Sequence, residues 1–172
     1  YHNMGINDIL KACGIPKGSF YNFFSSKEDF ARRVLEYFGE YSAENIRKYL
    51  ENKELTPLNR LKSFYSYIID ANELDGLNAG CLLNSMSMEV APHSEIIADE
   101  ANKSLNRWLD IIERTVQEGQ ETGEIIEHFP ARQMAEYLHA GSYGAFSRMK
   151  ATRSRTYLDQ WFTMTFDVLS TN

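Results

Sequence analysis

The chain has 172 residues, of which 43% are hydrophobic, a content typical of a globular protein of one or two small domains. It contains neither a run of about 18 apolar residues nor a basic leader followed by an apolar stretch, so the sequence predicts no membrane span and no signal peptide. Cys13 and Cys81 have neither metal-site spacing nor the pattern of a disulfide framework, and we therefore expect a reducing, cytoplasmic setting.

The first predicted elements are two short helices joined by a tight turn. Apolar residues around Ile9 and Leu10 lead to Gly14, and glycine is the residue that most readily ends a helix in a left-handed conformation. Pro16 presets the backbone for the start of the second helix and cannot continue the first. This pattern is typical of a helix-turn-helix, whose second helix enters the DNA major groove.

The second helix has an apolar face and a polar face. Phe20, Phe23 and Phe24 recur at intervals of three and four residues, so we expect all three to pack inward. The opposite face is polar or small, and it carries Lys17, Gly18, Tyr21 and Asn22 with Ser19 beside them. Gly18 has no side chain to hold the backbone away from a phosphate.

The third helix begins with a capping box, in which Ser26 is the N-cap and Asp29 follows three residues later. Lys27 lies at this N-terminus, where it can neutralise a second phosphate. Residues 1–34 carry five basic and three acidic groups, although the whole chain has a formal net charge of −6. A basic first segment on an acidic chain fits a protein that touches DNA with one end.

The run Pro16-Lys17-Gly18-Ser19-Phe20-Tyr21, with Phe24 and Ser26-Lys27-Glu28, resembles the signature of the tetracycline-repressor (TetR) family of bacterial regulators. The resemblance implies that Lys17, Ser19, Tyr21, Asn22 and Lys27 face DNA. It also implies that Phe20 and Phe24 are core, and that a first helix precedes Tyr1. We therefore predict an N-terminally truncated DNA-binding domain over residues 1–42 and an effector-binding and dimerisation domain over residues 43–172.

The remaining chain is predicted to be all-α. The approximate bounds of its helices follow from apolar residues at intervals of three and four, from prolines at helix starts and from glycines at helix ends. The predicted helices cover residues 27–50, 56 to about 73, 82–90, 94–122, 130–149 and 155–169, with a loop over 74–80 rich in Asp, Asn and Gly. Gly123 is expected to end the long helix.

The last two predicted helices are apolar nearly all round, which indicates burial on more than one side. We expect them to form a two-fold four-helix dimer interface, as the family resemblance also implies. The predicted interface residues are Leu138, Gly141, Ala145, Leu158, Phe162 and Phe166. The alternative is that the same residues form the core of a single chain.

A small-molecule effector is expected in the helical body, because methionines and aromatic rings suit an apolar or aromatic ligand. The candidate residues, chosen from the family layout, are Tyr65, Cys81, Met86, Trp108, Tyr143 and Phe146. Cys81 also lies in a Gly-Cys-Leu segment like that of an electrophile-responsive repressor in the family, which suggests a reactive thiol; the alternative is a small buried apolar residue. We expect Cys13 to be packed inside the helix-turn-helix.

Catalysis has little support in the sequence. The four histidines, His2, His93, His128 and His139, form no metal-ligand pair, and we predict no metal and no cofactor. Two other classes stay open, a helical interaction module without DNA binding and a small helical enzyme. The sequence favours a homodimeric repressor that a small molecule or an electrophile releases from operator DNA.

Overall fold

A computed structural model of the chain describes residues 5–74 and 80–171. The described part is all-α, as predicted, apart from one 3₁₀ turn at Ala91–His93 and an isolated bridge between Ile125 and Ser170. Its helices are α1 (Ile6–Cys13), α2 (Lys17–Phe23), α3 (Lys27–Leu50), α4 (Pro57–Leu74), α5 (Leu82–Glu89), α6 (Glu95–Glu121), α7 (Ala131–Thr152) and α8 (Thr156–Leu169). Most of the predicted loop over 74–80 lies outside the described residues.

The turn between α1 and α2 has the predicted geometry. Gly14 ends α1 with φ 66°, and the Ile15 amide donates to the Leu10 carbonyl at 2.9 Å. Pro16 has φ −62° and is the N-cap of α2. Because only glycine adopts the left-handed conformation without strain, the prediction for Gly14 is confirmed.

The start of α3 is also confirmed, with one difference in detail. The Ser26 Oγ accepts a hydrogen bond from the Asp29 amide at 3.0 Å. The Asp29 carboxylate reaches back to the Ser25 amide, also at 3.0 Å, which is one residue earlier than a standard capping box. This bond holds the pKa of Asp29 below its usual value.

The chain forms two compact units, which interleave in sequence. The head unit consists of residues 1–41 and 81–105, and the body unit of residues 42–80 and 106–172. The helix-turn-helix therefore shares its unit with α5 and the first part of α6. The division into functional domains near residue 42 stays a prediction.

Burial of Phe20 organises the described part of the helix-turn-helix. Its ring contacts the rings of Phe24 and Phe30, with centroid distances of 5.0 and 5.6 Å. Phe23, in contrast, is 70% exposed, so the prediction that it packs inward is wrong. On a helix of seven residues, Phe23 and Phe24 fall on opposite sides of Phe20, and only Phe24 lies on the side of Phe30. Cys13 is exposed too, which contradicts its predicted packing.

In the body unit a buried arginine joins the ends of three helices. Arg60 on α4 is 2% exposed; its Nη1 donates to the Leu50 carbonyl at the end of α3 at 2.7 Å, and its Nη2 pairs with Glu118 on α6 at 2.7 Å. Lys53 pairs with the same carboxylate at 2.7 Å. Hydrogen bonds from Arg60 and then from Lys53 lower the pKa of Glu118.

We expect Arg60→Met to lower the free energy of unfolding by about 2–4 kcal/mol, because it leaves a buried carbonyl and a carboxylate without their donor. The matched change Lys53→Met removes a side chain that is 69% exposed and should cost less than about 1 kcal/mol. Urea unfolding of both variants measures the difference. Equal losses would show that Arg60 has no special role in joining these helices.

Candidate nucleic-acid interface and effector site

The polar face of α2 is presented to solvent. Lys17, Gly18, Tyr21 and Asn22 are exposed, and Ser19 is half-buried. The ring of exposed Tyr21 makes an edge contact with the ring of buried Phe20 at a centroid distance of 5.3 Å. Phe20 therefore holds the Tyr21 ring in place. Lys27 is half-buried at the first position of α3. The structure therefore leaves all six predicted residues in reach of a ligand.

Gly18 differs in its surroundings from Gly141, a glycine in the middle of α7. A Cβ added to Gly18 would meet nothing within 4 Å, whereas one added to Gly141 would lie 2.5 Å from the Trp161 indole nitrogen. The chain's own packing explains the glycine at 141. It does not explain the one at 18, which is compatible with a close approach by an external partner.

The two arginines at the start of α3 are engaged with neighbours on their own helix. Arg32 pairs with Glu36 at 3.1 Å and with Asp29 at 3.4 Å. Arg33 pairs with Asp29 at 3.4 Å and lies 5.6 Å above the Phe24 ring. These contacts fix the N-terminal turn that carries Lys27.

The predicted effector residues are divided between the two units. Cys81 and Met86 belong to the head unit, and the other four belong to the body unit. Cys81 is half-buried as the N-cap of α5. Met86 is buried and borders a 160 Å³ apolar cavity. The cavity is further lined by Ile9, Lys27, Phe30, Ala31, Val34, Leu35 and Leu82.

In the body unit, Tyr65 and Trp108 are buried, and Tyr143 and Phe146 are half-buried. Phe146 packs against a core cluster that includes Met149 and Leu158. The rings fall into two groups, and each group includes one residue that the effector prediction omitted. Trp161 contacts Tyr65 at a centroid distance of 5.0 Å, and His139 lies 4.4 Å from Tyr143 and 6.3 Å from Trp108.

Burial of His139 lowers its pKa to about 4. The Tyr65 hydroxyl is fully enclosed, and burial raises its pKa above the usual value. Both groups are therefore neutral near pH 7. No pattern in the sequence signals the burial of either group, because the covering residues can be distant in the chain, as Trp161 is from Tyr65.

The predicted dimer-interface residues lie mainly inside the single chain. Leu138, Ala145, Leu158 and Phe166 are buried within the single chain, as the alternative interpretation as monomer core expects, and their part in a dimer stays a prediction. Gly141 faces Trp161, and Phe162 is half-buried on the core cluster. The predicted residues belong to the larger apolar stripe of each helix, and in the single chain this stripe packs inward.

A smaller apolar strip on α7 and α8 is exposed instead. Tyr137 lies on α7, and Met164 and Val168 lie one turn apart on α8. Beside them is an open apolar cavity of 350 Å³. Its lining consists of Ile126, Phe129, Gln133, Met134, Tyr137, Val168 and Leu169.

Within the described residues, none of the helices has the length and apolarity needed to cross a membrane.

Comparison with known proteins places this architecture in one family. Residues 57–165 match the family described as "Tetracyclin repressor-like, C-terminal domain", and residues 1–34 match "Bacterial regulatory proteins, tetR family". The chain is 37% identical over 169 residues to the HTH-type transcriptional repressor DhaR of Mycobacterium sp. (strain GP1), covering 98% of this chain and 83% of that one. It is 27% identical over 154 residues to the repressor NemR of Escherichia coli (strain K12), covering 90% of this chain and 77% of that one.

Solved structures of regulators in this family have the same fold. A regulatory protein TetR from Rhodobacter sphaeroides superposes with a TM-score of 0.90 at 26% identity, over 98% of this chain and 89% of that one. FadR of Bacillus subtilis, solved in complex with stearoyl-CoA, has the same fold with a TM-score of 0.79 at 18% identity, over 99% of this chain and 89% of that one.

The chain belongs to the TetR family of bacterial transcriptional regulators. It is a DNA-binding regulator with an N-terminal helix-turn-helix, as the sequence predicts. The family consists of transcriptional regulators, and its members typically act as dimers whose affinity for operator DNA is controlled by small molecules.

Stability should depend on pH through His139. Its pKa is about 4 in the folded chain and 6.5 ordinarily, so between these values the unfolded state binds the extra proton. The free energy of unfolding should therefore fall as the pH falls through this window, by up to about 3 kcal/mol. Urea unfolding at several pH values measures this slope. His139→Gln should flatten it, and the same change at exposed His128 should not. An unchanged slope in His139→Gln would contradict the assignment.

Proposed function

We propose that this chain represses transcription by binding operator DNA through the exposed face of α2. The residues that carry it are Lys17, Gly18, Ser19, Tyr21 and Asn22, with Lys27 at the start of α3. The observation that supports this most directly is the open space at Gly18, since the fold itself does not require a glycine there. Because such regulators act on bacterial DNA, we place the protein in the cytoplasm.

The chemistry of the face suits a nucleic acid. Lys17 and Lys27 supply positive charge for phosphates, and Ser19, Tyr21 and Asn22 supply hydrogen-bonding groups for phosphates or base edges. Gly18 lets a phosphate reach the backbone of the first turn, where amide groups lack intrahelical acceptors. Phe20 holds this face outward by burying the opposite side of the helix.

Gly18→Ala separates folding from DNA binding. Alanine should raise the free energy of unfolding by about 0.5–1 kcal/mol, because a helical glycine is disfavoured and nothing obstructs the new Cβ. Operator affinity should fall by about tenfold if one charge-assisted hydrogen bond of ~1.5 kcal/mol is lost. Thermal unfolding and operator titration measure the two effects.

Gly14→Ala is the control for Gly18→Ala, since Gly14 has a left-handed φ of 66° and its replacement should lower the stability instead. An operator affinity that Gly18→Ala leaves unchanged would argue against contact between DNA and this backbone.

We also propose that the exposed strip of Tyr137, Met164 and Val168 forms the homodimer interface. Gly144 is exposed on α7, and a Cβ there would meet nothing within 4 Å. Small residues of this kind let a partner helix approach closely, and large exposed apolar side chains are typical of an interface. A two-fold dimer would carry two copies of α2, which a palindromic operator could bind about one DNA turn apart.

Val168→Glu should weaken dimerisation by about 100-fold or more, because a partner would bury an unpaired carboxylate. Val168 is 67% exposed in the single chain, so folding should be little affected. Sedimentation velocity and circular dichroism measure the two properties. Met88→Glu, at a residue of the head unit that is 72% exposed, is the matched control and should stay dimeric. A dimeric Val168→Glu variant would exclude this strip.

The body unit is proposed to bind the effector. Tyr65, Trp108, Tyr143 and Phe146 supply an aromatic environment suited to a small apolar or aromatic molecule. Cys81 and Met86 belong to the head unit and are proposed separately, Met86 as a contact at the apolar cavity of that unit and Cys81 as the site of reaction if the effector is an electrophile. A ligand that prefers the state with low DNA affinity by ~1.4 kcal/mol would weaken operator binding tenfold.

A further inference from the structure

Three aromatic side chains of the body unit each carry a buried polar atom that lacks a hydrogen-bond partner among the described residues. These atoms are the Tyr65 hydroxyl, the Trp161 indole nitrogen and the second ring nitrogen (Nε2) of His139. Tyr65 is 3% exposed, so its hydroxyl is shielded from bulk water. Burying such a group unpaired is unfavourable, and each case in a native protein calls for an explanation, of which a bound molecule from outside the chain is one.

The surroundings of Tyr65 are aromatic. Its ring contacts Phe64 at 5.1 Å, Trp161 at 5.0 Å and Phe166 at 6.1 Å between centroids. These rings come from two helices, α4 and α8. A flat apolar molecule with one polar end would match rings of this kind, and the Tyr65 hydroxyl would meet the polar end.

The position of the Trp161 indole depends on a glycine. A Cβ at Gly141 would come within 2.5 Å of the indole nitrogen, so any larger residue on α7 would displace this N–H group. The indole nitrogen can only donate a hydrogen bond, and the tyrosine hydroxyl can donate one as well. The two contacting rings therefore carry two hydrogen-bond donors.

The donors are uncharged. Burial raises the pKa of Tyr65, so the hydroxyl keeps its proton, and burial lowers the pKa of His139 to about 4, so the imidazole is neutral near pH 7. A carboxylate or an ammonium bound among these rings would be buried without a counter-charge from them, which is costly. A neutral oxygen acceptor would accept the hydrogen bonds without that cost.

We propose that Tyr65 and Trp161 form the polar end of the effector site, and that the effector is a neutral, largely apolar molecule with an oxygen acceptor such as a carbonyl group. This inference rests on the proposed function in that the ligand is taken to be the effector. It names Trp161 as a binding residue and specifies the charge and polar group of the ligand.

The free protein provides the first test. Tyr65→Phe removes only the unpaired hydroxyl and should raise the melting temperature of the full chain by about 2–6 °C. Tyr67→Phe, at an exposed ring on the same helix, is the matched control and should change it little. A lower melting temperature for Tyr65→Phe would show that the hydroxyl already has a partner, such as a buried water, and would overturn the proposal.

The second test compares three probes that share a six-membered carbon ring and differ in the polar group, namely cyclohexanone, cyclohexanecarboxylate and cyclohexylammonium. In the wild type, the ketone should raise the melting temperature more than either ion, and Tyr65→Phe should remove at least half of that increase. The proposal is overturned if an ion stabilises as much as the ketone, if the ketone has no effect, or if its effect is unchanged in Tyr65→Phe. Neither test uses DNA, whereas operator titration of the wild type tests the proposed function separately.

Discussion

Burial of one ring, Phe20, is the constraint on which the DNA-binding face depends. A helix of seven residues is far too short to be stable alone in water, so α2 persists only because it is packed onto the rest of its unit. The contacts of Phe20 with Phe24 and Phe30 fix the rotation of the helix about its axis. That rotation decides which residues face solvent, and it places Lys17, Gly18 and Tyr21 there.

The glycines differ in whether the fold of the single chain requires them. Gly14 and Gly123 have positive φ and end α1 and α6, a role set by the local backbone. Gly141 makes room for an indole from a neighbouring helix. A Cβ at Gly18 or Gly144 would meet only open space, which is why we propose contacts outside the single chain for them, with DNA at Gly18 and with a second protomer at Gly144.

The body unit contains both paired and unpaired buried polar atoms. The Nη1 and Nη2 atoms of Arg60 contact the Leu50 carbonyl and the Glu118 carboxylate at 2.7 Å and tie together the ends of three helices. Tyr65 and Trp161 are enclosed among aromatic rings with polar atoms unpaired. In the effector site that we propose, these polar groups would be satisfied when the ligand binds, and this would contribute to the differential affinity that a regulatory response requires.

Local signals in the sequence determined the helices and the DNA-binding face. Gly14, Pro16, Ser26 and Pro57 act on the backbone within a few residues, so helix starts and ends were predictable, and the motif around Lys17-Gly18-Ser19 was enough by itself to indicate the family. Only the tertiary structure decided which of two apolar stripes faces inward. It buried Leu138 and Leu158 and exposed Met164 and Val168, because helical periodicity defines faces but does not say which neighbour covers each one. The pairing of Trp161 with Tyr65 was decided there as well, since the two residues are far apart in the chain and meet only when α4 and α8 pack together.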